Sequence, residues 1–456
     1  MKCRAENQPA EAIRHYERAI ALRPNHARAH NNVGVIQQER GDLVGAARAF
    51  QKAIESDPLF GLAWFNRGNY LREENRLSDA IAHYCRALEL MPADAETRIN
   101  LATVLREVRQ FDASLGLLDE IPPTSPHWPK AEFNRALIYF LRGEWGRGWE
   151  AYEARLALGS NARAIADCRW NGTPLGGRSI LLLAEQGIGD QVMFASCLPD
   201  WVQQGANCFL ECDARLVPLF ARSFPQITPF AKSPETEPLV RIGHCEFVEF
   251  LGTLPRFLRR RIEDFPQSGP VLQPDPDRVA KWRSSLARLG GGFKVGISWQ
   301  GGRDAETRRR RSIPLALWEP IFRVPGVRLV NLQYGPSAAE GVEAGRRLGT
   351  ALDDGTDCDP LLNLDDFAAK MAALDLVISV DNSTAHLAAA IGRPVWTLLP
   401  FAPDWRWTLD RETTPWYPTM RLLRCQDLDQ WSELMQKTAR RLAAAVFSGA
   451  SGSGAA

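Results

Sequence analysis

The sequence has almost no net charge: 55 Lys and Arg stand against 54 Asp and Glu, a formal balance of +1. A chain without a field of one sign is a poor binder of nucleic acid or anionic membranes, so neither is expected as a partner. It also has no C-x-x-C among its nine cysteines, which argues against a disulfide framework and fits a reducing compartment. Cys208, Cys212, His244 and Cys245 lie near one another in sequence, but their spacing is poor for zinc, and no metal is expected there. Long apolar runs are missing as well. SILLLA and DLVISV fall far below the roughly 20 residues of a bilayer span. The start, MKCRAENQPAEAIRHYERA, lacks the apolar segment of a signal peptide. A cytoplasmic protein with no membrane span is the expectation. What the chain does have is 456 residues, enough for roughly three domains with cores of their own.

The first third is periodic. Prolines at 24, 58, 92 and 126 are 34 residues apart, as are Asn32, Asn66, Asn100 and Asn134. Gly34, Gly68, Ala102 and Ala136 keep small residues in the same register, where one helix must let its neighbour approach, and Ala12, Ala46 and Ala80 mark a second helix. With Trp64, Gly68, Ala80, Tyr84, Ala87 and Pro92 the pattern resembles the tetratricopeptide repeat (TPR). The third copy drifts, with Ser114 at a small position, and the fourth becomes GEWGRGWEAYEAR. Residues 1–155 therefore read as an α-solenoid whose concave groove would hold a peptide or protein. The four asparagines would form a ladder for a peptide backbone, or else satisfy neighbouring loops. The first copy is a second helix alone, which suggests a truncated chain or a partner covering that end.

Residues 156–177 read as a linker. Beyond it, short apolar runs alternate with helical segments, the order of a parallel sheet. SILLLA, a tight EQGIGD loop, a helix from QVMF onward and the strand NCFLECD make a first half over 178–275. After breaks at QPDPDRV and LGGG, FKVGISW restarts the pattern, followed by VRLVNLQ, DLVISV, the helix STAHLAAAI ending at Gly392, and PVWTLL, for a second half over 276–448. The tail, 449–456, reads as flexible. Two open α/β halves place their ligand in the cleft between them.

Two loops carry the chemistry. In Glu185-Gln186-Gly187-Ile188-Gly189-Asp190 the glycines allow close backbone approach, and Asp190 falls in the first turn of a helix, where the dipole favours its ionised form. It could accept a proton from an incoming hydroxyl or merely cap the helix. A dinucleotide fingerprint is a rival, with Gly187, Gly189 and Glu211 in place. However, Val192 stands for the third glycine, and Asp190 would repel a pyrophosphate. In the second loop, Asp381, Asn382, Ser383 and Thr384 present short polar side chains and free N–H groups at a helix N-terminus, a setting for phosphate. His386 follows one turn on and could donate a proton or hydrogen bond to a departing phosphate oxygen.

Gly301 and Gly302 precede the run Arg308–Arg311. Such a run is usually a solvated loop, but after a Gly-Gly turn at a cleft rim Arg311 could clamp a diphosphate. Arg259, Arg260 and Arg261 read as surface. Asp357-Cys358-Asp359 spells a D-x-D by chance spacing, and Trp405 and Trp407 read as packing rather than stacking plates.

EQGIGDQVMFASCLP, RSIPL, SVDNSTAHLAAAIGRPVWTLLP and PDWRW resemble the bacterial heptosyltransferase-like glycosyltransferases of family nine, over residues 178–424. Behind tetratricopeptide repeats, the whole is similar to bacterial TPR glycosyltransferases, among them flagellin glycosyltransferases whose repeat arm binds the protein to be modified. The resemblance implies a GT-B fold, two Rossmann-like domains facing a cleft behind the α-solenoid. It implies a nucleotide-sugar donor, with no metal and no bound cofactor. A general base would fall on Asp190, followed by Leu198 and Pro199, with the acceptor loop at Gln186, Gly187 and Gly189. The D-[ST]-G-x-x-H donor motif would fall on Asp381 and His386, with Asn382 and Ser383 replacing the usual Thr and Gly, and a phosphate-binding basic residue on Arg311. Transfer of a sugar to a protein hydroxyl, with inversion, is the activity implied. A repeat scaffold with a degenerate, non-catalytic GT-B region is the alternative.

Overall fold

The computed structural model describes residues 9–158, 168–203, 205–232, 245–265, 269–302, 305–349, 352–353, 358–428 and 430–452. Two compact units divide between Ile138 and Tyr139, inside the helix Trp128–Leu141.

The first unit is a series of antiparallel helix pairs: Ala27–Glu39 with Leu43–Ser56, Gly61–Glu73 with Leu77–Leu90, and Ala95–Glu107 with Phe111–Asp119, preceded by Pro9–Leu22. The small residues of the repeat decide how closely each pair packs. A Cβ on Gly34 would lie 2.7 Å from the Phe50 ring, and one on Gly68 would lie 2.7 Å from the Tyr84 ring. One period later Leu118 replaces the aromatic, and Ala102 fits in the same core cluster. Within each pair the turn uses a left-handed residue at the same repeat position: Gly41 at φ 80°, Asn75 at 59° and Arg109 at 60°. Asp42 and Asp94 cap the helices that follow them by accepting the Gly45 and Thr97 N–H groups.

The recurring asparagines run between successive repeats. Asn66 donates to Asn31 (2.9 Å), Asn100 to Asn69 (3.0 Å), and Asn134 accepts from Thr103 (3.2 Å). Their partners are first helices of the preceding repeat, not loops, and Asn32 is half-buried.

Among the described residues the second unit holds two wholly parallel sheets. The first has strand order β3-β2-β1-β4, from β1 (Ser179–Leu183), β2 (Asn207–Cys212), β3 (Ile227–Ala231) and β4 (Phe247–Phe250). The second runs β10-β9-β8-β5-β6-β7, from β5 (Phe293–Ser298), β6 (Val327–Asn331), β7 (Leu352–Asp353), β8 (Leu376–Val380), β9 (Val395–Leu399) and β10 (Met420–Arg424). With helices between the strands, these are the two Rossmann-like domains of a GT-B architecture. The central strands β8 and β9 are buried on both faces, as continuous Val/Ile/Leu runs require.

The helix Trp145–Tyr152, second in the fourth repeat, belongs to this unit. Phe140, Trp145, Trp149 and Tyr152 pack with Phe194 of the first α/β half and with Trp405 and Trp416 of the second. Arg155 is buried and bonds Glu185 (3.0 Å), Glu153 (2.8 Å) and Thr253 (2.9 Å). Removing one member of such a buried pair typically costs about 3–5 kcal/mol.

Several expectations need correction. Arg259 is not on the surface: it is 3% exposed and bonds Asp200 and the Ser196 carbonyl, while Arg260 and Arg261 are exposed. Its burial was hidden because its partners lie some 60 residues away. The arginine run is helical, from Ala305 to Arg311, rather than a loop. Trp170, in the expected linker, is buried against Trp201 and Phe257. The last helix continues to Gly452, into the expected tail. Residues 159–167 of the linker, 453–456 of the tail, His244 and Asp357 lie outside the described residues. Among the described residues no helix is long and apolar enough to cross a membrane.

Gly68→Ala and Gly116→Ala test the packing rule. The first puts a methyl into the Tyr84 ring, and the second adds one in open space within a helix. Overpacking should cost about 1–3 kcal/mol, whereas Gly116→Ala should stabilise by about 0.5–1 kcal/mol. Denaturant midpoints of the two variants should move in opposite directions; equal shifts would contradict the rule.

Candidate functional site

Both loops singled out in the sequence open onto one cavity of about 620 Å³. Its lining includes Gln186, Gly187, Gly189 and Asp190 from the first half, and Gly302, Arg311, Asp381, Asn382, Ser383 and His386 from the second. Gly301 and Thr384 are not part of the lining. Gly301 serves a close approach, since a Cβ there would lie 2.7 Å from the Asp381 carbonyl. Thr384 is buried.

The first loop leaves β1 and turns at Gln186, a non-glycine residue at φ 66°. That conformation is uncommon for a residue with a Cβ. Here it is held by the Tyr152 hydroxyl, which bonds the Gln186 amide at 2.7 Å, and by the Arg155–Glu185 pair immediately before it. The helix Ile188–Phe194 follows. Asp190 sits in its first turn, and one carboxylate oxygen accepts the Gly187 N–H at 3.0 Å. Capping is therefore part of its role. Gly189 lets the two halves meet: a Cβ there would be 3.0 Å from the His386 ring and 3.6 Å from the Ser383 backbone.

The second loop leaves β8 and enters the helix Ser383–Ala390. Asn382 caps it, accepting from the Ala385 N–H at 3.2 Å and donating to Ser298 (2.8 Å) and the Gln300 carbonyl (3.1 Å). Its side chain is thus spent on joining this loop to the end of β5. Ser383 shares a hydrogen bond with Tyr334 (3.0 Å), another residue of the cavity wall.

His386 is 4% exposed, 3.0 Å from the Tyr417 hydroxyl through Nδ1, with its ring 4.9 Å from that of Trp407. Burial, reinforced by the Arg406 charge, pushes its pKa down to about 3. The imidazole is neutral at physiological pH, so it can offer a hydrogen bond but holds no extra proton. A Tyr417 hydroxyl donating to Nδ1 leaves the ring hydrogen on Nε2.

The charges of the site form a chain. Arg311 bonds Asp404 at 2.7 Å and faces Asp381 at 3.4 Å. Arg406 bonds both Asp404 and Asp190. Burial raises the Asp381 pKa, opposed by Arg311. Burial works in the same direction on Asp404, but the Arg406 and Arg311 guanidiniums hold it well below the ordinary carboxylate range. Asp404 and Arg406, in PDWRW, were not foreseen as site residues. Their signal was the PDWRW motif itself, in which Arg406 stands between two tryptophans and Asp404 just before them; Trp405 and Trp407 are indeed buried.

The remaining sequence candidates fall away from the cavity. Glu211, needed for a dinucleotide reading, is fully buried in β2. Cys208 and Cys212 are free thiols whose pKa burial pushes up to about 12. Among the described residues no cluster of His, Cys, Asp and Glu could hold a metal ion.

A neutral buried histidine makes stability depend on pH. The unfolded chain takes up a proton below about 6.5 that the folded chain refuses until about 3, so stability falls as pH drops through that window. The slope is about 1.4 kcal/mol per pH unit. His386→Gln should remove this component, making chemical unfolding less pH-dependent between pH 6.5 and 4.5 than in the parent. Parallel pH profiles would mean that His386 is not held neutral.

Comparison with known proteins gives the arrangement its context. Tetratricopeptide repeat models match residues 4–59, 37–95 and 71–132, and the model described as glycosyltransferase family 9 (heptosyltransferase) matches 329–436. Protein FlbA of Caulobacter vibrioides is 33% identical over 96% of this chain and 76% of its own length. A probable UDP-N-acetylglucosamine–peptide N-acetylglucosaminyltransferase, SPINDLY of Hordeum vulgare, is 32% identical over 24% of this chain, which spans only 12% of that protein. Heptosyltransferase II of E. coli aligns with 59% of this chain and 99% of its own at 15% identity, with a TM-score of 0.41. Similarity to FlbA along almost the whole chain, with repeats in front and a family 9 region around the Asp381–His386 loop, makes this protein a member of the FlbA family: a TPR-repeat glycosyltransferase of the heptosyltransferase type.

Proposed function

We propose that the protein moves a sugar from a nucleotide-activated donor to a hydroxyl of a protein acceptor held by the repeat arm, in the cytoplasm, with a flagellin Ser or Thr as the candidate acceptor. The observation that carries this reading is the meeting of the two loops on one cavity, an aspartate from one half beside a helix N-terminus from the other. Asp190 is the general base. The N–H groups at Ser383 and Thr384 receive the donor phosphate, and His386, as a neutral imidazole, donates a hydrogen bond to the departing oxygen. Attack by a hydroxyl activated from the acceptor side is a single displacement, which inverts the anomeric centre. The helix end and the guanidiniums neutralise the leaving group without a metal. Asn32, Asn66 and Asn100 are partly exposed on the first helices of the repeats, where a peptide backbone could bond them; Asn134 is the most buried of the four.

A general base contributes typically 10²- to 10⁴-fold. Asp190→Asn, which leaves Arg406 paired with Asp404, should therefore lower turnover by about that factor, measured on folded protein as sugar incorporated into co-expressed candidate acceptors by mass spectrometry. Turnover at the parental rate would remove Asp190 from the role. Activity of the parent should persist in EDTA; strict dependence on added Mg²⁺ would overturn the metal-free reading.

A further inference from the structure

Arg406 stands between the two halves of the reaction. Its side chain is 11% exposed, and it lies against the Trp405 ring with its guanidinium carbon 4.6 Å from the centroid. It reaches Asp404 from its own loop and Asp190 from the opposite half. Asp190 has no idle oxygen: Oδ2 accepts the Gly187 N–H and Oδ1 takes Arg406. Arg215 also lines the wall, paired with Asp213, so the groups around the cavity set four carboxylates, Asp190, Asp213, Asp381 and Asp404, against three guanidiniums, Arg215, Arg311 and Arg406.

This balance conflicts with an incoming phosphate. A nucleotide's phosphate group carries one to three negative charges, and it would sit beside carboxylates that repel it. One arginine must change partner for the site to accept the anion. Arg215 is held by both oxygens of Asp213, and Arg311 is held by Asp404 and faces buried Asp381, in each case by partners in its own half. Arg406 keeps Asp404 as an anchor whether or not it holds Asp190, so it can release Asp190 without becoming unpaired. Asp190, for its part, must free an oxygen to take a proton from an acceptor hydroxyl.

Resting on the assignment of Asp190 as base, we propose that Arg406 is a catalytic residue shared between Asp190 and the donor phosphate. The donor's phosphate or diphosphate draws Arg406 off Asp190, and the freed carboxylate then serves the acceptor. In the step that follows, the acceptor hydroxyl gives its proton to Asp190, and its oxygen forms a bond to the anomeric carbon. The bond from that carbon to the phosphate oxygen breaks with its electron pair. The nucleotide departs with the added negative charge held by Arg406. The base is thus armed only when the donor is present, which disfavours unproductive activation of an acceptor alone.

The test is a binding cycle that needs no turnover. CMP, ADP, GDP and UDP are titrated calorimetrically into the full-length protein, and the tightest is carried through Asp190→Asn, Arg406→Gln and the double variant, with melting temperatures confirming folding. Arg406→Gln should weaken binding by about 10- to 100-fold, the worth of a charge-assisted hydrogen bond. Asp190→Asn should tighten it, because Arg406 no longer has a competing partner. This gain should be at least several-fold larger with Arg406 present than in the Arg406→Gln background. If Arg406 only neutralises Asp190, the sign reverses, because without the guanidinium the bare carboxylate repels the nucleotide more and its removal gains more. An equal or larger gain in the Arg406→Gln background would therefore overturn the proposal. If Arg406→Gln melts below the assay temperature, Arg406→Lys, which keeps the charge but loses the fork, is used in its place. The gain from Asp190→Asn should again be larger with arginine than with the replacement, and the same reversal decides against sharing. The outcome is separable from the base assignment: parental turnover in Asp190→Asn would sink the base, while the sign of the binding cycle reports on Arg406 alone.

Discussion

The approach of Gly189 to His386 constrains everything else in the catalytic unit. Two helices from different sheets point their N-termini into one cavity, and they come this close only because residue 189 has no side chain to collide with the imidazole. The contact puts the dipole ends of both helices on the same small volume. It also brings Asp190 within reach of Arg406, 216 residues away in sequence. A buried chain of alternating aspartates and arginines is then the available way to hold so many charges out of water, since each must be paired where it is desolvated.

The support for that contact comes from an unexpected quarter. The strand end before the first loop is fixed by Arg155 through Glu185, and the left-handed turn at Gln186 by Tyr152. Both belong to the last repeat and its continuation. The aromatic residues of the same segment pack on Trp405, next to Arg406. One short helix thus braces both walls of the cavity, and does so with large rigid rings that lose little conformational entropy on ordering.

Much of this was legible in the sequence because it rests on local rules. The 34-residue period announces stacked helix pairs, and the Gly34 and Gly68 positions announce where they pack closely. Apolar runs such as SILLLA and DLVISV announce buried parallel strands, and the loops after them announce a site at strand ends. What escaped has distant causes. Arg259 looks like its exposed neighbours Arg260 and Arg261 until Asp200 and Ser196 are brought to it. Arg406 reads as an incidental charge between tryptophans until the fold delivers Asp190. The ladder asparagines, evenly spaced, could not disclose that their amides bridge from one repeat to the next. Nor could Arg109 disclose that it takes the left-handed turn that Gly41 takes two repeats earlier.

The division at Ile138 and Tyr139 falls inside the repeat pattern rather than at its end. The segment after it, although written in the same repeat grammar, cannot be swapped without unseating Gln186. An exchange of repeats would leave these braces intact only where the crossover falls upstream of Phe140, whose ring packs on Trp405.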